Sequence, residues 1–190
     1  MVLVDADRLL FNDLKVLHLS SRQVDRIGEG SLVGRNANGV AGQVCDSTGC
    51  TVSVYNWAGD TLASARLATS ALSNEKQSAD STTGRVGNLR AGLLNPDGRF
   101  LVFGWLGKVT EPGEVRRLDF TTGQTATLFR QDGFPQAAAL TNDGGSALVS
   151  VDSRTGSFRL ISLADPTRTA TAELGANVLT ITAGPSMQPR

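Results

Sequence analysis

Few residues in this 190-residue sequence belong to types that do chemistry, and their spacing decides what each could do. Cys45 and Cys50 are the only cysteines. They flank a four-residue turn, so in a hairpin they would lie opposite one another at a Cα separation that a disulfide spans. Closing so short a loop stabilises by about 2 kcal/mol on the chain-entropy model and chiefly stiffens the turn. We expect the bridge; the alternative is a pair of reduced thiols in a cytosolic protein. A zinc site is not expected, because zinc takes four ligands and His18, the one histidine, falls in a different part of the chain.

With one histidine, a serine triad would have to be built around His18 alone. No Gly-x-Ser-x-Gly elbow occurs, and His18 reads as a strand-face residue. The stretch Gly28-Glu29-Gly30-Ser31-Leu32-Val33-Gly34 approaches a dinucleotide loop, but its last spacing is wrong and no helix follows to meet a phosphate. It reads as a turn. Asp5, Asp7, Asp13, Asp97 and Asp143 do not form the alternating acidic loop with a distal Glu that holds calcium; they read as caps of hairpin turns. No catalytic residue, cofactor or metal is assigned.

The elements that would carry these residues are short. The 18 basic and 18 acidic residues cancel, which leaves no field to hold nucleic acid or an anionic membrane. No apolar stretch approaches the roughly 18 residues of a membrane span, and the first residues carry no signal-peptide pattern. Apolar runs of a few residues alternate with breakers, including 21 glycines. This predicts an all-β chain of many short strands.

Those strands repeat. Leu14 to Leu19, Val52 to Trp57, Val115 to Phe120 and Phe158 to Leu163 share one order of apolar and polar positions followed by turn residues. The first and last intervals lie close to the roughly 40 to 45 residues of a four-stranded blade. The middle one exceeds it by about a loop, and the excess falls in the polar stretch 69–87, read as an insertion on the rim. Ahead of each core strand stands a hairpin signal: Val4-Asp5-Ala6-Asp7-Arg8-Leu9, Leu94-Asn95-Pro96-Asp97-Gly98-Arg99-Phe100 and Leu140-Thr141-Asn142-Asp143-Gly144-Gly145, with Asn38-Gly39 as a weaker match. A second hairpin recurs as Val44 to Cys50 and Val151 to Ser157. The expected organisation is one propeller domain over 1–190, with repeats at about 1–30, 31–68, 88–133 and 134–182 and an inserted loop at 69–87.

The segment Leu94 to Gly104, followed by Val115 to Gly123, resembles a blade of WD40-like or TolB-like β-propellers. Where WD repeats carry Trp-Asp this chain has Leu17-His18, Tyr55-Asn56, Leu118-Asp119 and Ile161-Ser162, so the looser TolB-like type fits better. The resemblance implies four antiparallel blades of a larger, incomplete propeller. An open end of such an array would expose strand edges that invite self-association. A small sandwich is the competing fold, and the repeated hairpins argue against it.

The function expected on this reading is a non-catalytic scaffold that binds a protein or peptide through rim loops 69–87 and 104–114, where loops on a rigid frame concentrate contacts. Trp105, Lys108 and Glu111 in one loop and Lys76 and Arg85 in the other are the candidate contact residues, with Trp105 favoured as a binding anchor. Tyr55 and Trp57 read as core. Arg116 and Arg117 fall on opposite faces of one strand. TolB-like blades also resemble the substrate-filtering propellers of prolyl-oligopeptidase-type hydrolases, which is the alternative function. The expected disulfide points to an extracytoplasmic compartment.

Overall fold

A computed structural model describes residues 1–68, 90–105, 112–131, 136–152 and 157–173. These form sixteen strands and no helix. In chain order they are β1 (Val2–Leu3), β2 (Arg8–Leu10), β3 (Lys15–His18), β4 (Val24–Arg26), β5 (Ser31–Arg35), β6 (Gly39–Asp46), β7 (Gly49–Asn56), β8 (Thr61–Ala68), β9 (Arg90–Leu94), β10 (Phe100–Trp105), β11 (Gly113–Asp119), β12 (Gln124–Gln131), β13 (Gln136–Leu140), β14 (Ser146–Asp152), β15 (Ser157–Ser162) and β16 (Thr169–Glu173). Each consecutive set of four is an antiparallel meander, the unit of a propeller blade.

Blades 2 and 3 form one continuous eight-stranded sheet, because their first strands β5 and β9 pair in parallel through Gly34↔Gly92 and Arg35↔Leu93. Glycine makes that approach possible. A Cβ on Gly92 would stand 2.5 Å from the Val33 carbonyl oxygen, and one on Gly34 would stand 2.5 Å from Leu101 Cδ1. Gly34 lies inside β5, and of the stretch Gly28 to Gly34 read above as a turn only residues 28–30 fall in the connection between blades 1 and 2.

The apolar residues gather into three cores, one at each junction between successive blades. Leu10, Leu14, Val16 and Ile27 of blade 1 meet Val40, Tyr55 and Trp57 of blade 2. The other face of blade 2, with Val52, Val54 and Leu67, meets Leu101, Phe103 and Leu118 of blade 3. The far face of blade 3, with Val102, Val115 and Phe129, meets Ala147, Val149 and Ile161 of blade 4. A middle strand with a blade on either side is buried on both faces. This is why Leu101, Val102 and Phe103 of β10 are consecutive, apolar and fully buried.

Equivalent positions are fixed by register. The pairs Leu9↔Leu17, Val40↔Tyr55, Leu101↔Leu118 and Ala147↔Ile161 occupy the same place in the four blades. One step along, Arg8↔His18, Gly39↔Asn56, Phe100↔Asp119 and Ser146↔Ser162 stand at the open ends of the same hairpins. Leu17, Tyr55, Leu118 and Ile161 thus share a pleat position, as the repeat predicts. Their burial is not shared: Leu118 and Ile161 are fully buried, whereas Leu17 and Tyr55 are half-buried.

Candidate interaction surface

The meander sorts the connections onto two rims. The first-to-second and third-to-fourth strand turns lie on one rim; the second-to-third turns and the links between blades lie on the other. The first rim is braced by side chains that satisfy turn amides. Asp5 Oδ1 accepts from Asp7 N at 3.0 Å and Arg8 N at 2.8 Å. Asn36 Oδ1 accepts from Asn38 N and Gly39 N, Asn95 Oδ1 from Phe100 N, Asp97 Oδ1 from Arg99 N and Asp143 Oδ1 from Gly145 N. Asp5, Asp97 and Asp143 are turn caps, and Asp13 pairs with Lys15. No group of three or more possible metal ligands occurs among the described residues.

His18 sits on this rim in a setting that its sequence neighbours do not announce. Its Nε2 lies 3.1 Å from Asp25 Oδ2 and its Nδ1 lies 3.7 Å from Asp7 Oδ2. Both carboxylates come from neighbouring strands or turns of blade 1. Beside it, the Arg8 guanidinium lies 4.8 Å from the centre of the Trp57 ring, and the indole Nε1 donates to the Ala37 carbonyl at 2.8 Å. Arg8, His18, Asp25, Arg26 and Trp57 line a cleft of about 410 Å³ at the seam of blades 1 and 2. Trp57 is accordingly half core and half cleft wall. The sequence signal for this cluster is present only as one acidic residue in the β1–β2 turn, Asp7, and one on β4, Asp25.

The second rim holds the bridged hairpin. Cys45 and Cys50 are bonded, with their Cα atoms 4.0 Å apart. In blade 4 the equivalent positions Asp152↔Ser157 face each other without a bridge. The β6–β7 turn is locked further by Asp46, which accepts from Thr48 N at 2.8 Å and Gly49 N at 3.1 Å and pairs with Arg66 of β8 at 2.8 Å. The Arg66 guanidinium and the Thr48 bonds hold its carboxyl well below the ordinary carboxylate range.

β8 ends and β9 begins at this rim, where β10 also ends and β11 begins. Gly104 and Trp105, read above as loop, lie in β10, and Gly113 and Glu114 lie in β11, which leaves 106–112 between the strands. Lys76, Arg85, Lys108 and Glu111 lie outside the described residues. The backbone of Trp105 ends β10 and pairs with Glu114 of β11. Glu114 is the buried charge at that root, 3% exposed. Its Oε2 accepts from Arg116 Nε at 2.6 Å and Thr127 Oγ1 at 2.9 Å, and its Oε1 from Arg130 Nε at 2.8 Å. Burial raises the carboxyl, but the donors outweigh it and leave it below its ordinary value. Arg117, on the other face, lies 5.2 Å from the centre of the Phe100 ring, so the two arginines do separate as alternation requires.

With a core at each of three junctions between four-stranded meanders, the architecture is decided. The described residues are four blades of a β-propeller. No family model matches the chain, and no curated protein matches it. Among solved structures it is similar to the tricorn protease at 12% identity and a TM-score of 0.56, over 90% of this chain and 16% of that one. It is also similar to TolB from Acinetobacter baumannii at 17% identity and a TM-score of 0.41, over 85% and 38% of the two chains. A third similarity is to the Swd1 β-propeller domain of Myceliophthora thermophila Cps50, at 13% identity and a TM-score of 0.41, over 86% and 54%. The chain therefore spans well under two thirds of the length of each of these proteins, and likeness at such identity concerns the fold.

Proposed function

We propose that this blade array is a rigid, non-catalytic platform that binds a protein or peptide through the rim carrying the 69–87 and 104–114 loops. The observation that supports this reading is the construction of the loop roots. Residues 106–112 are bounded by a strand pair anchored by Glu114 and two arginines. The neighbouring hairpin on the same rim is braced by a disulfide and an Asp46–Arg66 pair. Such fixed roots let loops present contacts at low ordering cost. The bridge also supports an extracytoplasmic site of action.

Replacing residues 70–86 and 106–111 by Gly-Ser linkers, singly and together, tests the reading against a partner identified by proximity cross-linking. Loss of that partner with unchanged far-ultraviolet dichroism supports the platform. Retention of the partner in the doubly replaced chain overturns it. The hydrolase alternative is separated by the complete reading frame, where a Gly-x-Ser-x-Gly segment with downstream Asp and His would make the array a substrate filter.

A further inference from the structure

Blade 1 keeps one face without a partner among the described residues. Register sets Leu3 opposite Leu9, Leu9 opposite Leu17 and Leu17 opposite Val24, so each of the four strands contributes one apolar residue to a single row. Leu10 and Val16 point to the core shared with blade 2, and alternation therefore puts the row on the opposite side. Leu3 is 59% exposed and Val24 54%, while Leu9 and Leu17 are half-buried. In the later blades the same register positions point toward the preceding blade: Val40 and Tyr55 of blade 2, Leu101 and Leu118 of blade 3, Ala147 and Ile161 of blade 4. Blade 1 thus carries the face that receives a preceding blade, with no such blade among the described residues.

We infer that this row docks the last blade of a second copy of the chain, joined head to tail. Blade 4 supplies the complementary side. Leu160 holds the register position of Val16 and Val54, which pack toward the next blade. Here Leu160 is only half-buried, and it lines an open cleft of about 540 Å³ with Ser146, Ser162 and Thr169. Joining blade 4 of each copy to blade 1 of the other creates two identical junctions and continues the packing of the three internal ones. Two copies close a ring of about eight blades, at the upper end of the usual four to eight. Closure matters, because a head-to-tail contact that does not close propagates into a fibre.

The inference is independent of the rim-loop reading, and light scattering coupled to gel filtration at tens of micromolar tests it. The expected mass is twice the monomer's 19.9 kDa. Leu17→Asp and Leu160→Asp, made separately, should each reduce it to the monomer with unchanged dichroism. Leu3→Lys, at the most exposed point of the row, should do the same if Leu17→Asp does not fold. Replacing both rim loops should leave the dimer intact. A monomeric parent chain, a dimer that survives Leu3→Lys and Leu160→Asp, or a ladder of larger species would overturn the closed ring.

Discussion

Leu118 and Leu17 hold the same register position in their blades but meet different surroundings, so truncating each to alanine measures the junction directly. Leu118 is fully buried among Leu101, Phe103 and Phe120 of its own blade and Val52, Val54 and Leu67 of blade 2. Removing three carbon groups at about 0.8 kcal/mol each forfeits roughly 2.4 kcal/mol of transfer free energy. The neighbours are anchored in hydrogen-bonded strands of both blades and collapse little into the gap, which brings the expected cost to about 3 to 4 kcal/mol. For a chain of this length that is a fall in Tm of about 6 to 16 °C. Leu17 lacks a preceding blade when the chain is monomeric, and its truncation should cost about 1 kcal/mol or less.

Urea unfolding followed by tryptophan fluorescence, at sub-micromolar concentration to keep the chain monomeric, supplies both values. An unchanged m-value shows that stability alone has moved, and agreement of calorimetric with van't Hoff enthalpy tests whether the blades unfold together. The reasoning fails if Leu118→Ala costs under about 1 kcal/mol, or if Leu17→Ala in the monomer costs as much as Leu118→Ala.

Breaking the bridge with Cys45→Ser and Cys50→Ala should lower stability by about 2 kcal/mol without unfolding the chain, and peptide mapping without reductant should recover the Cys45–Cys50 link in the parent. Gly92→Ala forces a Cβ against the Val33 carbonyl and should cost about 1 to 3 kcal/mol in urea unfolding. Glu114→Gln should cost about 1.5 to 3 kcal/mol at neutral pH, since it removes the charge from its bonds to two arginines. The folded carboxyl of Glu114 is lowered, so its contribution is complete above the unfolded value of about 4.3 and is lost as pH falls through the folded value. The parent should therefore lose stability more steeply than Glu114→Gln on acidification below that point, and parallel curves would contradict it.

The blade pattern was legible because each apolar set must face one neighbour and each hairpin must turn within a few residues. Strand alternation, the Asp-Gly turns and the recurrence of the core strand are local consequences of those demands. The parallel contact of Gly34 with Gly92 was not legible. Those residues are far apart in sequence, and nothing near either one states that another backbone will pass within reach. The same holds for Glu114, whose arginine partners come one from its own strand and one from β12. Spacing revealed the cysteine bridge because both of its ends lie in one hairpin. The Lys76, Arg85, Lys108 and Glu111 candidates rested on loop composition, which carries no geometry.

The polar position that recurs as His18, Asn56, Asp119 and Ser162 shows why the repeat is readable in some blades and diverges in one. After this residue the chain must turn into the fourth strand, and the turn leaves backbone amides to satisfy. Asn56 Oδ1 accepts from Ala58 N and Asp60 N, Asp119 Oδ1 from Thr121 N, and Ser162 Oγ from Asp165 N. The requirement is for a short side-chain oxygen, not for a particular residue, so Asn, Asp and Ser interchange and the pattern is visible only as polarity. Imidazole offers no oxygen. In blade 1 the turn places Arg22 at a φ of +58°, with Arg22 N and Gln23 O both bonded to the His18 backbone. The His18 ring, relieved of capping, is free to lie between Asp7 and Asp25 and to line the cleft beside Trp57. The one blade in which the side chain at this position is not a cap is also the one in which it meets two carboxylates.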